Sequence, residues 1–118
     1  MIGYTTKLGA CLLGDSIQLL AELEDDSVNL VVTSPPFALL RKKSYGNKEQ
    51  DEYVSWLCSF GEIVYRKLRP DGSFVIDLGS AYHRGTPTYS LYQYRVLLQM
   101  CDGVGFHLAQ PFYWHNPS

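Results

Sequence analysis

The clearest structural signal in the chain is the segment VNLVVTSPPF, which occupies residues 28–37. Val28 to Thr33 is rich in β-branched side chains and shows no polar alternation. Such a run is typical of a strand that is buried on both faces of a sheet. The prolines of Ser34-Pro35-Pro36 end the strand, because proline has no backbone N–H to donate to a neighbouring strand. The sequence therefore predicts a strand over residues 28–33 that stops at a stiff turn.

Strand and helix patterns alternate on both sides of this segment. Before it, the sequence predicts a strand over residues 7–13 and a helix that begins at Asp15 or Ser16 and ends near residue 24. After it, the sequence predicts a helix over residues 49–67, a turn over 69–72, a strand over 73–78, a helix over 89–101 and a last strand over 106–114. This alternation predicts an α/β fold with a mostly parallel sheet of about four strands and flanking helices.

The composition excludes several classes of protein. The chain has 118 residues, of which 46% are apolar and 19% charged, as expected of one small domain with a buried core. It contains no apolar run near the ~20 residues that a membrane span needs, and no signal-peptide pattern. Its three cysteines form no Cys-x-x-Cys pair, which argues against a zinc site or a disulfide scaffold. We therefore expect a cytoplasmic protein with no membrane segment and no bound metal.

The basic residues are concentrated in one part of the chain. The net charge is −2, which does not by itself indicate a nucleic-acid partner. Four of the ten basic residues nevertheless fall within eight positions after the proline turn: Arg41, Lys42, Lys43 and Lys48. A basic loop of this kind can hold a phosphate backbone, although an ordinary solvated loop has the same composition.

Polar side chains lie at the carboxyl ends of three predicted strands. Asp15 follows the first, Ser34 follows the strand over residues 28–33, and Asp77 lies near the end of the strand over 73–78. In open α/β sheets, ligands bind beyond the carboxyl ends of the strands. The sequence therefore predicts a binding site at this edge of the sheet.

The proline turn itself is suited to holding an amine. Two prolines fix the backbone and remove two N–H donors, so the turn displays carbonyl oxygens between the Ser34 hydroxyl and the Phe37 ring. Such a turn can accept hydrogen bonds from an –NH2 group while the ring stacks on the plane that carries it, as a flipped-out base requires. The alternative is a rigid strand-end turn with a buried phenylalanine.

These residues resemble the amino-methyltransferases that modify DNA bases. That family carries Ser, Asn or Asp before Pro-Pro and an aromatic residue at the end of a strand, and serine first is typical of its cytosine-N4 members. Leu13-Gly14-Asp15-Ser16, the Leu68–Gly72 turn and Phe74–Gly79 resemble further family segments in the same order. The resemblance spans nearly the whole chain and is strongest to the PvuII type of bacterial type II restriction–modification enzyme. It implies a partial Rossmann-like fold that depends on S-adenosylmethionine.

The resemblance implies a role for each residue of the turn. Ser34 Oγ and the Pro35 carbonyl would accept the two N4–H bonds of a cytosine, Pro36 would stiffen the turn, and Phe37 would stack on the flipped base. Asp77 would take part in the proton network, or else cap the strand end structurally. Transfer would then proceed by in-line displacement, with catalysis largely by positioning.

The resemblance also implies contacts to the methyl donor and to DNA. Asp15 resembles the family acid that contacts the adenosine part of S-adenosylmethionine, and it can equally be the N-cap of a helix. The four residues of the basic loop (Arg41, Lys42, Lys43 and Lys48) would hold the phosphates of double-stranded DNA.

One part of the family pattern is missing. The Phe-x-Gly-x-Gly turn that admits the methionine end of the donor does not occur, and Gly103-Val104-Gly105 precedes a predicted strand instead of following one. We therefore expect residues 1–118 to be the catalytic half of a permuted methyltransferase domain, without its donor-binding half or its target-recognition region. Such a half would be inactive alone and would need a complementing half or a second copy. The alternatives are an adenine-N6 enzyme half and a non-catalytic α/β binding module.

Overall fold

The computed structural model describes residues 1–35, 47–83 and 85–117, with residues 47–50 described by their backbone alone. Its elements in chain order are β1 (Ile2–Thr5), β2 (Ala10–Leu12), α1 (Ser16–Ala21), β3 (Val28–Thr33), α2 (Asn47–Lys67), β4 (Leu68–Ile76) and α3 (Tyr92–Leu98). A π-helical segment, Gln99–Val104, continues α3.

The pair of strands β3 and β4 is the parallel part of the sheet. Leu30 lies opposite Ser73 and Thr33 lies opposite Ile76. The chain between the two strands includes α2, as the crossover of a parallel pair requires. The prediction of a strand over residues 28–33 is confirmed, and β3 has those bounds.

The predicted turn over residues 69–72 is a bulge within β4. Val28 pairs with Leu68 and Leu30 pairs with Ser73, so two positions on β3 correspond to five on β4. Pro70 lacks the N–H that a regular ladder uses, which favours an irregular segment there. A side chain at Gly72 would bring its Cβ to 3.1 Å from the Asn29 carbonyl oxygen, so glycine lets the bulge lie close to β3.

The core lies between this strand pair and the helices. Tyr53, Leu57 and Val64 recur at helical spacing along α2 and are almost fully buried. Tyr92 and Val96 of α3 and Met100 of the π-helical segment complete the buried set on the other side. Phe74 and Ile76 of β4 pack against this core, so the helices cover one face of the strand pair.

The other face of the strand pair is exposed in the described part of the chain. Leu30 and Val32 of β3 are 56% and 67% exposed, and Val75 of β4 is 46% exposed. The expectation that β3 is buried on both faces is therefore wrong for this chain. The reason is that the described helices form a single layer, and an apolar run can be covered only by layers that are present.

The first two strands form a separate antiparallel hairpin. Ile2 lies opposite Leu12 and Thr5 lies opposite Ala10, and these strands share no ladder with β3 or β4. The sequence indicated a strand over residues 7–13 but missed β1. The α/β class is confirmed, with four strands divided between an antiparallel and a parallel pair among the described residues.

Residues 106–114 do not form a strand, so that prediction is wrong. Phe106 packs on Tyr65 and Phe74, with ring centroids 5.1 and 5.4 Å apart. The described residues that follow it, up to residue 117, belong to no strand, and Trp114 is 92% exposed. Pro111 lacks an N–H, and a strand pattern produces a strand only where a partner edge accepts it.

The predicted helices are found with shifted ends. The first stops at Ala21 instead of near residue 24, and the second begins two positions earlier than predicted, at Asn47. The third begins at Tyr92 and continues as a π-helix to Val104, because Gly105, with a φ of 118°, ends it. No helix in the described part of the chain is long and apolar enough to cross a membrane.

Candidate functional site

The ends of β3 and β4 bring Ser34 and Asp77 together. The Asp77 backbone N–H donates to the Thr33 carbonyl at 2.9 Å, which extends the parallel ladder by one bond. The Ser34 hydroxyl donates to Asp77 Oδ2 at 3.3 Å. Two residues separated by 43 positions therefore meet because parallel neighbours end at the same edge of a sheet.

This pair has a defined hydrogen-bonding polarity. A serine hydroxyl has one proton to donate and two lone pairs that can accept. Because its proton points to the Asp77 carboxylate, the lone pairs of Ser34 Oγ are left to accept from another group. Both side chains are exposed, whereas Pro35, the next residue of the turn, is buried. The arrangement offers hydrogen-bond acceptors to a donor such as an amine, and the carboxylate offers a place for a proton.

The chain directly after Asp77 is held by α3. Gln93 Nε2 donates to the Leu78 carbonyl at 3.1 Å, and the Tyr92 hydroxyl donates to the Gly79 carbonyl. Burial raises the pKa of Tyr92 to about 12, with smaller contributions from Tyr53 and Tyr89, so this hydroxyl keeps its proton at neutral pH.

The sequence analysis missed both residues of this contact. The signal that could have found Tyr92 is its spacing of four from Val96 and of eight from Met100, which marks the buried face of the helix. No local pattern indicated Gln93, because its partner lies in the loop 15 residues earlier.

Asp15 is the N-cap of α1 in the structure. Its Oδ1 accepts from the Ile17 backbone N–H at 2.9 Å, and its own backbone is extended, as an N-cap requires. Among the contacts of the described residues, none joins Asp15 to Ser34 or Asp77. The capping alternative is therefore observed, and a contact with a methyl donor stays a prediction.

Several predicted site residues fall outside what the structure describes. Pro36 and Phe37 of the turn lie outside the described residues, as do the basic-loop residues Arg41, Lys42 and Lys43. Lys48 lies in α2, where only the backbone is described. The roles assigned to these residues stay predictions.

The described residues hold no cluster of three or more histidine, cysteine or acidic side chains that could bind a metal ion. Cys11, Cys58 and Cys101 are free thiols. Burial, with a smaller effect from Glu62, raises the pKa of the Cys58 thiol, so it stays protonated.

The fold and the strand-end pair define a class of protein. A family model described as "DNA methylase" matches residues 28–118, which include β3, β4 and the Ser34–Asp77 pair. The chain belongs to this DNA methylase family.

Individual relatives narrow the comparison. The chain is 58% identical over 115 residues to the type II methyltransferase M.PvuII of Proteus hauseri, an alignment that covers 98% of this chain and 34% of that protein. It is 33% identical over 129 residues to the type II methyltransferase M.SfiI of Streptomyces fimbriatus, covering 92% of this chain and 30% of that protein. The chain therefore spans 30% to 34% of the length of these two curated relatives.

A solved structure shares the fold. The PvuII DNA methyltransferase (cytosine-N4-specific) superposes with a TM-score of 0.87 at 57% identity, covering 98% of this chain and 41% of that one. The partial Rossmann-like methyltransferase fold is thereby confirmed.

Two clefts on the described part of the chain lie apart from the strand-end residues. Two surface clefts lie along α2, one beside Glu62, Tyr65 and Val104 and one beside Val54, Arg95 and Gln99. Neither is lined by Asp15, Ser34 or Asp77. Gly103 lies within the π-helical segment and Gly105 ends it, so neither glycine follows a strand. They therefore do not have the position of a glycine-rich turn that binds a methyl donor after a strand.

Proposed function

We propose that this chain is the amine-holding part of a DNA methyltransferase that acts on N4 of a flipped-out cytosine in double-stranded DNA. The observation that carries this proposal is the Ser34–Asp77 hydrogen bond at the end of β3, within a Ser-Pro-Pro turn. The 57% identity to the solved PvuII DNA methyltransferase (cytosine-N4-specific) supports cytosine as the base. Methyl donation from S-adenosylmethionine is implied by the family.

The turn would hold the amine by its two hydrogens. Ser34 Oγ accepts one N4–H, because its own proton is committed to Asp77, and the Pro35 carbonyl accepts the other. The N4 lone pair of cytosine is normally delocalised into the ring and is a poor nucleophile. Two acceptors on one side of the nitrogen draw it towards tetrahedral geometry and aim its lone pair away from the turn. Phe37 stacks on the base. The contribution to catalysis is orientation and electrostatic stabilisation.

Asp77 would receive the proton that the nitrogen loses. Once N4 has gained a methyl group it carries positive charge and becomes acidic. Its proton then passes to Ser34 Oγ while the Ser34 proton moves to Asp77 Oδ2, which lies 3.3 Å from that oxygen. The serine ends unchanged and the carboxyl ends protonated, and exchange with water restores the carboxylate because Asp77 is exposed. Serine alone is too weak a base for this step.

The remaining parts of the reaction would be shared with other polypeptide. Asp15 would contact the adenosine part of the donor with the oxygen that does not cap α1, and the basic loop would hold DNA phosphates. In this proposal, residues 1–118 would supply the catalytic half of the domain. A complementing donor-binding half, or a second copy of the chain, would supply the rest.

The test places this chain in a longer protein. The 118 residues replace the aligned segment of the Proteus hauseri relative, and the chimera is incubated with S-adenosylmethionine and unmethylated plasmid DNA. Nucleoside mass spectrometry is expected to detect N4-methylcytosine. Ser34→Ala should lower the transfer rate by about 100-fold or more, because it removes an acceptor at the reacting nitrogen.

A matched variant and the modified base decide between the alternatives. Ser59→Ala removes an exposed hydroxyl that donates to the Ser55 carbonyl at 2.9 Å, within α2 and on an element that does not carry Ser34 or Asp77, and should leave the rate unchanged. N6-methyladenine as the product would favour the adenine alternative. A folded chimera that binds DNA but methylates neither base would contradict the proposal and favour a binding module.

A further inference from the structure

We propose that Tyr92 and Gln93 are positioning residues, which hold the backbone after Asp77 and so keep its carboxylate within hydrogen-bond distance of Ser34. This inference rests on the proposed function of the Ser34–Asp77 pair. Neither side chain touches the reacting atoms, so both would act through Asp77.

Asp77 is held from both sides along the chain. On the amino side, its own N–H donates to the Thr33 carbonyl at 2.9 Å, which ties it to β3. On the carboxyl side, the chain has left β4, yet the next two carbonyls are both bound. Gln93 Nε2 donates to Leu78 at 3.1 Å, and the Tyr92 hydroxyl donates to Gly79. Two consecutive side chains of α3 thus replace the ladder that β4 no longer provides.

The Tyr92 side chain is itself immobilised. It has no exposed surface, and its ring meets that of Tyr53 edge to face, with centroids 5.5 Å apart. Its backbone N–H donates to the Ser90 hydroxyl at 3.2 Å. A group whose own rotamer is fixed by packing can fix the group that it binds.

Gln93 is locked by a second hydrogen bond. Its Oε1 accepts from the Tyr89 hydroxyl at 3.0 Å, which leaves the amide nitrogen pointing to Leu78. Tyr89 belongs to a loop whose two ends are hydrogen-bonded to each other. The Ser90 N–H donates to the Ala81 carbonyl at 2.7 Å, and the His83 N–H donates to the Thr88 carbonyl at 2.8 Å. The Gln93 amide is therefore oriented by Tyr89, near the end of this loop, while it binds Leu78 at the start of the loop.

The Ser34–Asp77 contact needs such support because it is weak by itself. At 3.3 Å it is longer than the usual 2.5–3.0 Å between two oxygens, and both side chains are exposed to competing water. A shift of a few tenths of an ångström in the Asp77 backbone breaks it. The position of Leu78 and Gly79 therefore decides whether the pair exists.

The first test measures hydrogen exchange in the 118-residue chain. Tyr92→Phe keeps the ring and its packing but removes the hydroxyl. We expect it to speed exchange of the Asp77 amide by about tenfold, while the Leu57 amide in the core exchanges as before. Gln93→Glu, which keeps an acceptor for Tyr89 but loses the donor to Leu78, should act in the same direction. Tyr94→Phe, on the same helix but half exposed, is the control and should change neither amide. Unchanged exchange at Asp77 in both variants would overturn the proposal.

The second test measures transfer kinetics in the chimera. We expect Tyr92→Phe to lower kcat by about tenfold with KM for DNA unchanged, and to have less than about a twofold effect when Asp77 is already Asn. A purely structural role would give the same factor in both backgrounds, and that result would refute positioning through Asp77. A chimera that transfers no methyl group would refute the proposed function instead, and the exchange measurement would still decide the role of Tyr92.

Discussion

Among single side chains, Asp15 has one observed role and one proposed role, which substitutions can separate. Its carboxylate caps α1, and a cap of this kind contributes about 1 kcal/mol to stability. Asp15→Ala should lower the free energy of unfolding by that amount, whereas Asp15→Asn should leave it almost unchanged because asparagine caps equally well. Urea unfolding of the 118-residue chain measures both values.

The same pair of variants tests the donor contact. If the carboxylate contacts S-adenosylmethionine, Asp15→Asn in the chimera weakens donor binding although stability is retained. Equal donor affinity in the wild-type and Asn forms would leave Asp15 with the capping role alone.

The meeting of Ser34 and Asp77 was predictable from the sequence, because each residue lies at the end of a clear strand pattern. The residues behind Asp77 were not. Gln93 and Tyr92 bind the carbonyls of Leu78 and Gly79, which follow Asp77 in the chain. These contacts depend on how α3 packs, and no local sequence pattern encodes that packing.

Turning to helices and strands, the long and strongly patterned elements were predicted best. The bounds of β3 are those predicted, and α2 differs by two residues at its start. Two of the failures share a physical cause, since residues 106–114 and the outer face of β3 both carry patterns that require a partner. An apolar pattern shows that a segment would be stabilised by a partner surface, but the pattern does not show whether that surface is present.

The end of α2 is joined to the segment before β3 by a buried lysine. The Lys67 side chain is 8% exposed, and its Nζ binds Asp25 Oδ1 at 2.8 Å and the Leu23 carbonyl at 2.7 Å. Ser27 N–H also donates to the Lys67 carbonyl at 2.9 Å. These bonds set where β3 begins relative to the helix that covers it.

This connection predicts an acid-dependent loss of stability. The hydrogen bond and charge of Lys67 hold the pKa of Asp25 below its ordinary value of 3.8. The unfolded chain therefore takes up the proton first as pH falls, and the contribution present above pH 3.8 is lost as pH falls through the lowered pKa. Unfolding midpoints measured downwards from pH 6 should fall more steeply for the wild type than for Asp25→Asn. Parallel slopes for the two proteins would contradict this account.

For the chain as a unit, one face of the strand pair carries exposed apolar side chains. Leu30, Val32 and Val75 leave one face of the strand pair uncovered, and Trp114 is almost fully exposed. Exposed apolar patches are one mark of surfaces that contact other polypeptide. The chain spans 34% of its Proteus hauseri relative, so the relative contains further polypeptide that can fill this role.

Donor binding by the isolated chain is accordingly expected to be undetectable. Calorimetric titration of the 118 residues with S-adenosylmethionine should give no binding heat at millimolar donor, because the sequence lacks the Phe-x-Gly-x-Gly turn that admits the methionine end of the donor. Adding the remaining segment of the relative as a separate polypeptide should restore binding. Micromolar binding by the chain alone would show instead that it completes a donor site, for example by self-association.

The distance in sequence between Ser34 and Asp77 also governs when the site forms during folding. Bringing together two residues 43 positions apart costs about 3 kcal/mol of loop-closure entropy, a cost that local helix formation in α2 does not bear. Contacts of high sequence separation form only once a nucleus holds the chain, so local helix formation in α2 precedes both the pairing of β3 with β4 and the serine–carboxylate bond. During synthesis, a chain from which β4 has not yet emerged therefore carries the Ser-Pro-Pro turn without the Asp77 carboxylate. The Ser34–Asp77 pair forms only after β4 is available to fold.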